Sequence, residues 1–143
     1  MPEAAENLQP LAHDAQNRCF GCGAANPVGL HLLFSLAEVG TIVCQVTVPD
    51  TYEGPNGYLH GGIIATLMDE AMSKAVRAQG FLAMTRNMEV DYLRPVPSGE
   101  PLRLEGKVTQ NEGRKHWAEA RILSAEGTVL AEGKGLFIAV RAR

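Results

Sequence analysis

The chain has 143 residues, 45% of them hydrophobic and 20% charged, which suits one domain able to bury a core without staples. A net charge of −3 leaves no basic stripe for phosphates and argues against a nucleic-acid partner. No apolar run approaches the roughly 18–20 residues of a membrane span, the first 18 residues lack the pattern of a secretory signal, and three cysteines that cannot all pair point to a reducing cytoplasm.

Residues 1–17 are polar, carry two prolines and show no periodicity, so they read as a loose tail or wrapping arm before a single domain over 18–143. Leu30, Leu32, Phe34 and Leu36 then alternate with His31, Leu33 and Ser35. After Gly40, the residues Ile42, Cys44, Val46 and Val48 repeat that period of two, the mark of a strand. Pro49 and the turn-rich YEGPNGY break the sheet. Residues 61–79 form a helix, stopped by Gly80. Strands follow over 84–94, 102–110, 114–123 and 128–141, joined by short glycine-containing turns. Hairpin-length connections mean antiparallel pairing. The predicted class is therefore α+β, an antiparallel sheet wrapped around one long helix that buries its apolar stripe on it.

That helix opens as YLHGGIIATLMDEAM and raises two questions. Ile64, Leu67, Met68, Ala71, Met72, Ala75 and Val76 make the apolar stripe. Glu70 falls away from it beside Lys74 and Arg77, and the i,i+4 order Glu70–Lys74 suits a surface ion pair. Asp69 lies at the edge of the stripe with no cation one turn away and no capping role. It either bonds a neighbouring strand or performs chemistry. The two glycines are poor helix formers placed where the first amides lack intrahelical acceptors and the dipole is positive. They either ease a tight entry or leave bare N–H groups for a ligand oxygen.

Thr85 falls on the strand face shared with Asn87, Glu89 and Asp91. Trp117 is in phase with Glu119 and Arg121, which suggests a subunit contact or a stacking surface. Arg114 and Lys115 follow the Gly113 turn and are candidate contacts for substrate phosphates, as are Arg94, Arg103 and Lys107. The Cys19–Cys22 pair has the spacing of half a zinc site, but four ligands are needed and His13, His31 and Cys44 are the completions in view. Cys44 sits on the apolar phase as a reduced core thiol. The favoured reading of the pair is a structural turn of the arm, with zinc as the alternative.

The run Y-L-H-G-G-I-I-A-T-L-M-D resembles the HGG-plus-acid signature of hotdog-fold acyl-CoA thioesterases of the PaaI-like, phenylacetate-pathway type. CFGCGAANPVGL is similar to the lead-in of one branch, and MT of AMTRNMEVDYLRPVP matches a segment that carries an active-site hydroxyl. The resemblance covers about residues 18–141. It implies a hotdog fold and hydrolysis of an acyl- or aryl-CoA thioester to a free acid and CoA, without metal or cofactor. Asp69 takes the position of the catalytic carboxylate, as general base or nucleophile. The backbone amide of Gly61 takes that of the carbonyl-polarising group. His60 shapes the site, Thr85 positions water or carboxylate, and Asn56, Gly57 and Gly62 are assigned to substrate binding. Each site is shared between two subunits, implying a homodimer, often paired into a tetramer. Some relatives carry Asn or Gln six residues before the histidine, where this chain has Gly54. A non-catalytic acyl-CoA-binding protein is the alternative. A hotdog dehydratase places its histidine and helix acid at a different spacing.

Overall fold

The seven apolar residues of the predicted stripe become one buried face of helix α1 (Gly61–Ala78). Leu67, Met68 and Met72 are at most 1% exposed, and burial of each such side chain contributes roughly 1.5–3 kcal/mol. The computed structural model describes residues 8–37 and 40–140. Besides α1 it holds strands β1 (Gln9–Pro10), β2 (Ser35–Leu36), β3 (Ile42–Thr47), β4 (Ala83–Tyr92), β5 (Pro101–Glu112), β6 (Lys115–Ser124) and β7 (Val129–Ala139), with a short 3-10 turn at Asp50–Tyr52. They form one sheet in the order β1-β2-β3-β5-β6-β7-β4, antiparallel throughout. The helix lies against this sheet, the hotdog arrangement.

Two glycine-scale details set how closely the layers approach. A Cβ on Gly106 of β5 would lie 2.4 Å from the Ala71 carbonyl oxygen of α1. Glycine there lets helix backbone rest on strand backbone. In Gly135 of β7, a Cβ would lie 2.9 Å from the Asn87 carbonyl oxygen on β4.

The strand predicted over residues 30–36 pairs only at Ser35–Leu36. Its alternation is real, since Leu32 and Phe34 are 1% exposed and Leu33 is 68% exposed. The backbone leaves the sheet because the Leu30 and Leu32 amides donate to Phe20 and Gly21 carbonyls at 2.8 and 2.9 Å. The predicted last strand ends at Ala139, and residue 141 lies outside the described residues.

β4 follows the helix and crosses to the far edge of the sheet, beyond β7. Its register against β7 shifts between Thr85 and Asn87, which places a bulge at Arg86. Period-two counting across that bulge puts Thr85 on the wrong face. The extra residue returns Thr85 and Ala83 to the helix side, the side that Met88 and Val90 occupy beyond it.

Candidate active site

The site begins at the entry to α1. His60 caps the helix: its Nδ1 accepts the Gly62 N–H at 2.8 Å, and its carbonyl accepts the Ile63 and Ile64 amides at 2.9 and 3.0 Å. A neutral ring in that role carries its proton on Nε2, at an exposed position. Of the two glycines, only Gly61 has an amide without an acceptor among the described residues. That N–H sits at the positive end of the helix. Gly62 leaves room for the capping ring, since a Cβ there would lie 3.2 Å from Nδ1.

Tyr92, at the end of β4, donates its hydroxyl to the Gly61 carbonyl at 3.0 Å. Its ring faces Gly61 at ordinary contact distance. No sequence motif marks Tyr92. Its signal is the resumed helix-side phase after the Arg86 bulge. Gly54 lies against His60, where a Cβ would be 3.2 Å from the His60 Cα. Asn56 and Gly57 form the exposed turn that precedes the cap, with Gly57 at φ 88°.

Two turns into the helix, Asp69 is half-buried and accepts the Thr85 hydroxyl on Oδ1 at 2.6 Å. That short charge-assisted bond fixes the carboxylate plane and leaves Oδ2 available. Asp69 therefore bonds a neighbouring strand and also offers an oxygen for chemistry. Eight residues separate Asp69 from Gly61, about 12 Å along a helix axis. A carbonyl held at the Gly61 amide is out of reach of Asp69 in the same chain.

Glu70 is not on a solvated face. It is half-buried beneath the Cys19–Cys22 turn, and Cys19 Sγ donates to its Oε1 at 3.3 Å. The helical wheel could not show the arm that folds over that face. Burial, then the negative charge of Glu70, push the Cys22 thiol up to about 11 against a hydrogen bond from Lys74. Burial likewise holds the Cys44 thiol at about 11. Neither is a thiolate nucleophile near neutral pH.

Arg114 donates Nε to the Ala139 carbonyl at 2.9 Å. Ala139 pairs with Ala83, two residues before Thr85, so Arg114 and Lys115 lie at the Thr85 end of the sheet. Arg103 instead donates to Glu105 at 2.8 Å. A groove of about 540 Å³ crosses the opposite face of the sheet, lined by Glu89, Lys107, Glu119, Arg121, Glu132 and Lys134 among others. Its acids and bases alternate from strand to strand except where Glu132 faces Asp91, so it offers an anionic ligand no surplus of cations.

The family is established by comparison. The thioesterase superfamily model matches residues 56–131, which run from the turn before His60 into β7. The chain belongs to the thioesterase superfamily. Over 98 residues it is 36% identical to the acyl-coenzyme A thioesterase THEM4 of Xenopus laevis, covering 68% of this chain and 44% of that protein. It thus spans about half or less of that protein and of its Bos taurus counterpart. A thioesterase superfamily protein of known crystal structure superposes with a TM-score of 0.80 at 31% identity, over 96% of this chain and 68% of that one. The PaaI protein of E. coli, from the phenylacetic acid degradation operon, shares the fold at a TM-score of 0.73 and 22% identity, over 79% of this chain and 82% of that one.

Proposed function

We propose that the chain is an acyl-CoA thioesterase. The observation that carries this is the Thr85–Asp69 hydrogen bond of 2.6 Å, set on a helix whose first glycine presents an uncommitted amide. Such a pair supplies both halves of acyl transfer to water, a fixed carboxylate and a donor for the developing oxyanion. Asp69 Oδ2 draws a proton from water as it attacks the thioester carbon, or attacks that carbon itself. The Gly61 N–H takes the negative charge on the former carbonyl oxygen. On the water route, collapse of the tetrahedral centre breaks the C–S bond, and the proton held by Asp69 passes to the leaving CoA sulfur as the free acid departs. On the direct route, collapse leaves an acyl–aspartyl anhydride, which a water then opens to the free acid and the Asp69 carboxylate. No cofactor is called for in these steps.

The separation of about 12 Å between Asp69 and Gly61 along the helix supports a site that draws them from different subunits. β4 supports this reading, because one of its long sides carries no strand among the described residues. Leu82, Met84, Tyr92 and Leu93 around it are 53–63% exposed. Pairing of two β4 edges makes a homodimer, and dimers pair further into a tetramer. Arg114 and Lys115 contact the CoA phosphates, and Asn56 and Gly57 border the acyl group. Three free cysteines fit a reducing, cytoplasmic setting. The test is release of free thiol from a panel of short, long and aryl acyl-CoAs. Turnover that disappears in Asp69→Ala supports the assignment. Binding of acyl-CoA with no thiol release by the unaltered chain makes it a carrier instead.

A further inference from the structure

The Cys19–Cys22 turn supplies none of the groups assigned to the proposed thioester hydrolysis, and its contacts converge on Glu70. Cys19 Sγ, Cys22 Sγ and a Glu70 oxygen all lie within 4.8 Å of one another. Fifty-one positions separate Cys19 from Glu70, so the fold, not the local sequence, assembles the cluster. Two glycines make room for it. A Cβ on Gly21 would lie 2.4 Å from Glu70 Cδ, and one on Gly23 would lie 2.4 Å from the Cys19 amide nitrogen. Asn17 braces the turn from below: its Oδ1 accepts the Cys19 N–H at 3.0 Å, and its Nδ2 donates to Cys22 Sγ at 3.4 Å. Backbone closure comes from the Gly23 N–H to the Cys19 carbonyl at 2.8 Å.

We propose that Cys19, Cys22 and Glu70 bind a thiophilic divalent cation, Zn²⁺ by the chemistry of the donors, which staples the N-terminal arm to the helix bearing Asp69. Two sulfurs and one carboxylate oxygen are a borderline-soft set that Mg²⁺ and Ca²⁺ do not favour. Zn–S bonds of about 2.3 Å put tetrahedral ligand sulfurs about 3.8 Å apart, within small side-chain rotations of the geometry here. Two thiolates and a carboxylate leave one surplus negative charge around the cation. The Lys74 ammonium, hydrogen-bonded to Cys22, lies where it offsets that charge. A fourth tetrahedral position remains. His13, on the same arm and near enough to feel the charges of Glu70 and Lys74, holds a buried Nδ1 with no hydrogen-bond partner. A helical-wheel reading hides this site, because it spends Glu70 on a solvent-side pair with Lys74.

The experiment is a Co²⁺ titration of the full chain after chelator treatment under reductant, followed by displacement with Zn²⁺. One equivalent of Co²⁺ should give a thiolate-to-cobalt charge-transfer band and tetrahedral d–d bands, both lost on adding Zn²⁺. Cys19→Ser with Cys22→Ser should abolish the bands, and Glu70→Gln should weaken affinity at least tenfold. Circular dichroism and thiol-release activity report that the variants are folded. Should the double variant not fold, the half-exposed Cys19→Ser chain carries the comparison. The proposal is overturned by no band from a wild-type chain whose three thiols all react when denatured. An equal response in the cysteine variants, or a rise in melting temperature as large with Mg²⁺ as with Zn²⁺, also overturns it.

Discussion

Asp69 and Glu70 are neighbours of the same chemical type, and their partners separate them. Asp69 is held by the Thr85 hydroxyl, and Glu70 is enclosed by a cysteine turn. Hydrogen bonds to charged groups contribute about 1.5–3 kcal/mol. Thr85→Ala should accordingly lower kcat by roughly 10- to 100-fold with little change in KM, and Thr85→Ser should keep most of the activity. A Thr85→Ala chain with unchanged kcat would remove Thr85 from the chemistry. Single turnover in ¹⁸O-water tests the nucleophile role open to Asp69, since label in the protein arises only on that route. A general base leaves no label in the protein, and an anhydride opened at the aspartyl carbon does. The candidate carboxylate was legible from the sequence because Asp69 has no cation one turn away. The enclosure of Glu70 was not, since it depends on an arm 51 positions upstream.

At the scale of elements, α1 was readable to its last buried residue, because seven apolar positions at helical spacing leave one solution. Strands were readable by phase and misread at interruptions. Alternation alone places Thr85 with Asn87 and Glu89, because a bulge at Arg86 leaves no mark in such a pattern. Layer spacing was equally hidden, since Gly106 looks like a weak strand residue until the Ala71 carbonyl is seen over it. Gly106→Ala must push a backbone carbonyl, not a flexible side chain. It should cost about 1–3 kcal/mol, in the range of overpacked cores. Urea unfolding measures this, and a midpoint equal to wild type would show that the helix shifts freely over the sheet.

For the whole molecule, charge and assembly each make a prediction. Burial by itself raises the Glu105 carboxyl, but hydrogen bonds from Arg103 and Arg121 outweigh it and hold the group below its ordinary 4.5. A depressed carboxylate stabilises the fold above its unfolded value, and that contribution fades as pH falls through the folded value. Glu105→Gln should therefore be less stable than wild type near neutral pH. The gap between their urea midpoints should begin to close as the pH falls below the ordinary 4.5, where the unfolded chain takes up the proton, and should vanish only below the depressed folded value. A gap that widens in acid would reverse the sign.

Assembly can be tested through Gly61. It is the first helical residue after the His60 cap, and His60 has φ −61° and ψ 141°. Proline is well suited to that helical position, and an extended preceding residue accommodates its ring. A Cβ there would meet the Tyr92 ring only at 3.7 Å. Gly61→Pro thus deletes one N–H and leaves the helix, cap and packing in place. Alone it should remove most thiol release, as should Asp69→Ala alone. If one site draws Asp69 and Gly61 from two chains, unfolding and refolding the two inactive variants together restores function. Random pairing makes half the dimers mixed. Each mixed dimer pairs the two defects in one site and leaves the other intact, so about a quarter of wild-type activity should return. No recovery from an equal mixture that light scattering shows to be dimeric would mean that Asp69 and Gly61 do not share a site across the interface.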